Sequence, residues 1–189
     1  SSTLHTYHVV VTDDYGQTAT SSNVTYQTYT APTVSVSANK TDGALASSVT
    51  LTATATGQGT LSYEWYEGTS VISGATSASY TASLDDSTGT AHTYSVKVTG
   101  TGGTTTSNTV TYTTHNIPTT PTVTASPTEG ALSQTVTLTA TGSTGVTYQW
   151  YEGSTALEGK TSASVSVDVS DSSSTLHTYH VVVTDDYGQ

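Results

Sequence analysis

Seventeen residues, SSTLHTYHVVVTDDYGQ, occupy positions 1–17 and return unchanged at 173–189. A self-match of that length is not a product of Ser/Thr-rich composition. It makes the chain slightly more than one period of a longer repeating polypeptide, since position 1 recurs 172 residues later at position 173. Fixed-period repetition implies modules in series, each with its own small core.

Within that period, apolar residues recur at every second position, the spacing of half-buried strands. SVTLTATA (48–55) sets Val49, Leu51, Ala53 and Ala55 on one face. LSYEWYEG (61–68) turns Leu61, Tyr63 and Trp65 inward and Glu64 and Tyr66 outward. SASYTASL (77–84) alternates Ala78, Tyr80, Ala82 and Leu84, and HTYSVKVT (92–99) alternates Tyr94, Val96 and Val98. No helical period outlasts a turn, and the abundant Thr suits a pleated surface. The chain reads as all-β, with about seven short strands per unit and turns at sandwich spacing.

Three pieces follow from the pattern. Residues 1–30 read as the last two strands of one unit, called B: HTYHVVVT, the turn DDYGQ, and one returning strand, TATSSNVTYQTY. Residues 31–117 read as a complete unit, A, with a turn TDG at 41–43. Residues 118–189 read as a second B lacking its last strand. There VTLTAT, WYEG, TSAS and HTY recur in A's order, with Val136, Leu138, Ala140, Val146, Tyr148, Trp150, Val165, Val167, Val169, Tyr179, Val181 and Val183 inward. Pro32, Pro118 and Pro121 mark the joints.

Charge narrows the partners. Three Lys+Arg against fourteen Asp+Glu give a net charge of −11, which repels phosphate backbones and anionic membrane surfaces. No nucleic-acid partner and no membrane insertion are expected, because no apolar run approaches a bilayer span. Cysteine is absent, so there is no disulfide framework and no thiolate metal site.

The Trp and Tyr positions carry a resemblance. VTLTA, YEWYEG or YQWYEG, and TYxV are similar to tandem bacterial immunoglobulin-like domains over essentially the whole chain. That resemblance implies tandem immunoglobulin-like sandwiches in a linear array. It implies a buried Trp on the third strand, matching Trp65 and Trp150, and a corner tyrosine matching Tyr7, Tyr94 and Tyr179. The disulfide of antibody domains is missing: Ala53 and Val96 stand at its places in A, Ala140 and Val181 in B.

No catalytic constellation stands out. His5, His8, His92, His115, His177 and His180 read as surface or strand-edge residues, because histidines three apart on a strand face opposite ways. Glu67 and Glu152 read as turn residues closing WYEG. Calcium is the one metal expectation. Asp13, Asp14, Asp185 and Asp186 sit in the last hairpin of B, where A has glycines. In the family's topology they would approach Asp42, Asp85, Asp86 and Asn116 at the A-to-B joint, as oxygen ligands. Asn23 and Asn39 stand in glycosylation sequons. Outward Tyr66 and Tyr151, beside Lys97 and His180, form a candidate sugar-stacking face.

The leading expectation is a non-catalytic repeat segment of a long secreted or cell-surface fibre or stalk, with neighbouring copies end to end as partners. The alternatives are a ligand- or carbohydrate-binding module, binding host-surface or glycan ligands, and a filament subunit joined by donated strands. In the last, residues 18–30 of the next molecule would complete B, and the duplicated residues 1–17 would compete for that place.

Overall fold

A computed structural model describes residues 2–189. The chain is all-β and carries two immunoglobulin-like sandwiches preceded by paired hairpin strands. The latter are β1 (Thr3–Tyr7), β2 (Val10–Thr12), β3 (Thr18–Thr20) and β4 (Val24–Thr28). The first sandwich comprises β5 (Thr33–Ala38), β6 (Asp42–Ala44), β7 (Ala46–Thr56), β8 (Ser62–Glu67), β9 (Ser70–Val71), β10 (Ser79–Asp85), β11 (Ala91–Gly100), β12 (Gly103–Thr106) and β13 (Val110–His115). The second comprises β14 (Thr122–Ser126), β15 (Ser133–Thr141), β16 (Thr147–Glu152), β17 (Thr155–Ala156), β18 (Ser164–Ser170) and β19 (Tyr179–Thr184). By compactness the chain divides in two. One unit holds the hairpins and most of the first sandwich; the other holds His115–Gln189 with the short segments Gly43–Leu45 and Ser87–Gly89.

In the first sandwich a three-stranded sheet, β10-β7-β5, faces a larger one, β6-β13-β11-β8-β9, with β12 also on β11. The two-residue spacing does what it predicts. Val49, Leu51, Trp65, Val96 and Val98 are fully buried, with Ala53 and Ala82 nearly so. Tyr80 and Leu84 pack against that core, while Ala78 is exposed, because its strand begins only at Ser79. Ala53 and Val96 fill the places of the missing disulfide with packed methyl groups.

The second sandwich repeats this in outline: β14-β15-β18 faces β17-β16-β19. Its core is Val136, Leu138, Ala140, Trp150, Val165 and Val167. Both tryptophans are bonded alike, Trp65 Nε1 to the Ser77 carbonyl and Trp150 Nε1 to the Ser162 carbonyl, each at 2.9 Å. Gly68 and Gly153 close the recurring WYEG turn with φ of 56° and 53°, a region that favours glycine. Among the described residues, nothing in this sandwich corresponds to β12 or β13.

Several expectations change. Residues 41–43 are not simply a turn, because Asp42–Ala44 is the short edge strand β6. TATSSNVTYQTY is two strands rather than one, interrupted at 21–23, where Ser21 Oγ accepts the N–H of Val9 and occupies the ladder position. Tyr7, expected in a core, is 58% exposed. Its strand pairs only with β4, and no second sheet covers that hairpin among the described residues.

Candidate functional site

The most organised polar site is one the sequence reading missed. His92, second residue of β11, bonds Glu67 Oε1 through Nδ1 at 2.6 Å and Asp86 Oδ2 through Nε2 at 2.8 Å. Glu67 ends β8, and strand pairing of β11 with β8 brings it to one side of the ring; Asp86, in the connection from β10 to β11, lies on the other. Thr114, only 1% exposed, donates its hydroxyl to the same Asp86 oxygen. Tyr94 lies beneath with its ring 6.4 Å from the imidazole and its hydroxyl 3.5 Å from Glu67, a long contact.

Both ring nitrogens face carboxylate oxygens, an arrangement that favours the imidazolium, in which both donate. Desolvation pushes His92 toward neutrality, but its bonds to Glu67 and Asp86 outweigh that, and its pKa rises above the ordinary 6.5. The hydrogen bond from Thr114, then that from His92, holds Asp86 below its ordinary 3.8. The arrangement is a cationic clip between two anions. It offers no lone pair to a metal. Nor is it nucleophilic machinery, for the hydroxyl donates to the carboxylate rather than to the histidine.

The second sandwich contains the same clip. His177 bonds Glu152 Oε1 at 2.5 Å and Asp171 Oδ2 at 2.8 Å, and its pKa is raised, first by the Glu152 bond and then by the Asp171 bond. Among the described residues, no hydroxyl corresponds to that of Thr114. Tyr179 Oη is buried with no hydrogen-bond partner. His5, the equivalent of His177, keeps only the stacking on its tyrosine, 6.3 Å to Tyr7. The signal was present in the sequence: Asp-x5-His-x-Tyr occurs at 86–94 and 171–179, each preceded by the WYE glutamate. Strand-edge histidines taken one at a time concealed it.

The residues singled out from sequence fall elsewhere. Asp13 Oδ1 accepts the N–H groups of Tyr15 and Gln17, and Asp185 Oδ1 those of Tyr187 and Gln189, so each organises its own turn. Partial desolvation raises the Asp185 carboxyl, but these N–H donors outweigh it and its pKa falls. Asp14, Asp85 and Asp186 are exposed. Among the described residues no three of His, Cys, Asp and Glu gather as a metal-holding group, so the calcium expectation rests on sequence alone. Tyr66 donates its hydroxyl to Glu64, which also pairs with Lys97 at 3.2 Å. Tyr151 stacks on His180 with ring centres 4.9 Å apart, so one of its faces is already covered. Asn23 is exposed between β3 and β4. Asn39 is exposed too, and its Oδ1 accepts the N–H of Thr50.

No family model matches the chain, and no curated protein matches it. Among solved structures, the chain is similar to murine CEACAM1b at 17% identity, covering 82% of this chain and 93% of that one, with a TM-score of 0.39. It is also similar to the N-terminal four Ig domains of Dscam1 isoform 7.44, at 15% identity and a TM-score of 0.33. There it covers 96% of this chain and spans about half, 51%, of the other.

Among the described residues no helix is long and apolar enough to cross a membrane.

Proposed function

We propose that the chain is a non-catalytic spacer: a repeat segment of a secreted or cell-surface fibre or stalk, whose sandwiches set length. The observation carrying this reading is what recurs. The paired Trp bonds and the two His clips recur between the sandwiches, and both maintain scaffold. The outward positions around Tyr66 and Tyr151 differ between the sandwiches, with Glu64 and Lys97 in one and Gln149 and His180 in the other. A binding role would favour a maintained surface; length-setting needs only a maintained interior. The acidic, Lys-poor surface also suits a soluble extended array.

The test is geometric. Concatemers of one, two and three 172-residue periods are examined by small-angle scattering and electron microscopy. The expected result is a constant increase in length per period. Compaction into a globule would overturn the reading. A screen of soluble glycans, with Tyr66→Ala and Tyr151→Ala as controls, addresses the binding-module alternative.

A further inference from the structure

The turn from β11 to β12 sets the two sandwiches apart in kind. Gly100, Gly102 and Gly103 stand there, where the second sandwich has Asp185, Tyr187 and Gly188. Gly103 has a φ of 126°, which favours glycine. Gly102 has no positive φ, so its lack of a side chain answers to space and not to backbone conformation. A Cβ there would stand 1.9 Å from the Thr30 carbonyl oxygen and 3.0 Å from the Ala31 nitrogen, backbone atoms of the segment that enters the sandwich. We propose that Thr30, Ala31 and Pro32 form a seated joint, a strap locked against this turn, and that Gly102 decides whether the joint holds or swings.

The strap is held on both sides. The Thr105 hydroxyl, on β12, donates to the Pro32 carbonyl at 2.6 Å. Pro32 is buried and has no N–H of its own to satisfy, so that bond completes its polar requirement. Across the groove, a Cβ at Gly57 would stand 2.9 Å from Pro32 Cβ and 2.9 Å from Leu61 Cδ2. Leu61 in turn packs against the core. The two walls are tied to each other, since the Thr101 N–H donates to the Gln58 carbonyl at 2.9 Å. One residue beyond the strap, Thr33 Oγ1 lies 2.7 Å from Thr56 Oγ1 at the first rung of the β5–β7 ladder. Glycines thus make a groove between two turns, and the strap fills it with backbone and one proline ring.

Swinging the strap out would break the Thr105 bond and bare Pro32 and Leu61 to water. Only the backbone freedom regained by a few residues favours that. The turn position of Gly102 is Tyr187 in the second sandwich and Tyr15 in the hairpin, so the glycine seat belongs to the first sandwich. It accounts for a difference between the turns that loop chemistry alone leaves open. The inference rests on the length-setting reading for its purpose and not for its geometry. A mobile strap in a chain whose concatemers lengthen evenly would sink the seat alone. A fixed strap in concatemers that compact would sink the spacer alone.

The test is amide relaxation by NMR on the 189-residue chain. The Thr30 and Ala31 amides are expected at order parameters of about 0.85, the value of rigid backbone. In Gly102→Ala they should fall below about 0.6, while the amides of Val49, Leu51 and Val96 keep theirs and report a folded core. Thr105→Val removes one bond without touching the turn and should give a smaller fall; it carries the test if Gly102→Ala does not fold. Chymotrypsin supplies a second readout. Cleavage after Tyr29 should quicken at least roughly tenfold in Gly102→Ala, equivalent to about 1.4 kcal/mol of lost seating. Cleavage after Tyr15, 89% exposed, should stay constant. Strap order parameters below about 0.6 in the unaltered chain, or unchanged order and cleavage in the variants that fold, would overturn the seated joint.

Discussion

Residues 3–7 and 175–179 share one sequence and live in two states. As β1, TLHTY has a ladder partner but no core, and Tyr7 is 58% exposed. At 175–179 it borders a core, and among the described residues its ladder begins only at Tyr179, so Thr175–Thr178 are not strand. The first sandwich supplies both conditions at Thr90–Tyr94: β13 pairs along it, and Tyr94 is 1% exposed. β propensity is identical in the two copies, so it cannot account for the difference. The partner strand decides the backbone, and the opposing sheet decides burial.

The sharpest way to break this comparison is at the shared centre. Trp65→Ala and Trp150→Ala each remove a fully buried indole and its hydrogen bond, at a cost of about 3–5 kcal/mol. Hydrogen exchange should show Trp150→Ala unfolding its sandwich outright, since its buried core is the smaller of the two, while Trp65→Ala leaves a weakened fold. Equal protection in the two variants would mean that the size of the buried core does not set the tolerance of either sandwich.

Tyr112→Ala should make the first sandwich resemble the second. It empties the space β13 fills, with an expected loss of about 3 kcal/mol, and calorimetry should show the first melting transition moving toward the second. A first transition that stays put would mean that β13 acts through its ladder and not through its ring.

The clips should respond to pH in a defined direction. His92 and His177 have raised pKa values, so their contribution is fully present below about 6.5 and is lost as pH rises through the higher folded value. Asp86 has a lowered pKa, so its contribution is present above about 3.8 and is lost as pH falls through the lower folded value. Melting temperature should therefore peak between these limits and decline toward pH 8, less so in high salt because the groups are partly exposed. In His92→Gln the decline belonging to the first sandwich should flatten. An unchanged profile would remove the clip from the stability account.

The smallest effect is expected at Tyr7→Ala, within about 0.5 kcal/mol, because an exposed ring loses little contact. The same substitution at Tyr94 should unfold the first sandwich. Matching losses at both positions, read by thermal melting, would show that the hairpin has a core after all.

The inward faces of β7, β8, β11 and β15 were legible from spacing alone, and so was the place of each Trp, because alternation is local and burial follows it. The clips were not. Glu67 and His92 are 25 residues apart, and only the β8–β11 register makes them neighbours. The break in the strand after Thr20 was equally hidden, being made by a side-chain bond across the hairpin.

By itself, then, the amino-acid order determined a repeating all-β chain with Trp-centred cores, since both repetition and two-residue alternation are properties of order along a chain. Which copy of TLHTY becomes strand and which tyrosine is buried were decided only by tertiary structure. Those outcomes depend on which distant segment lies alongside, and identical local sequence carries no record of that.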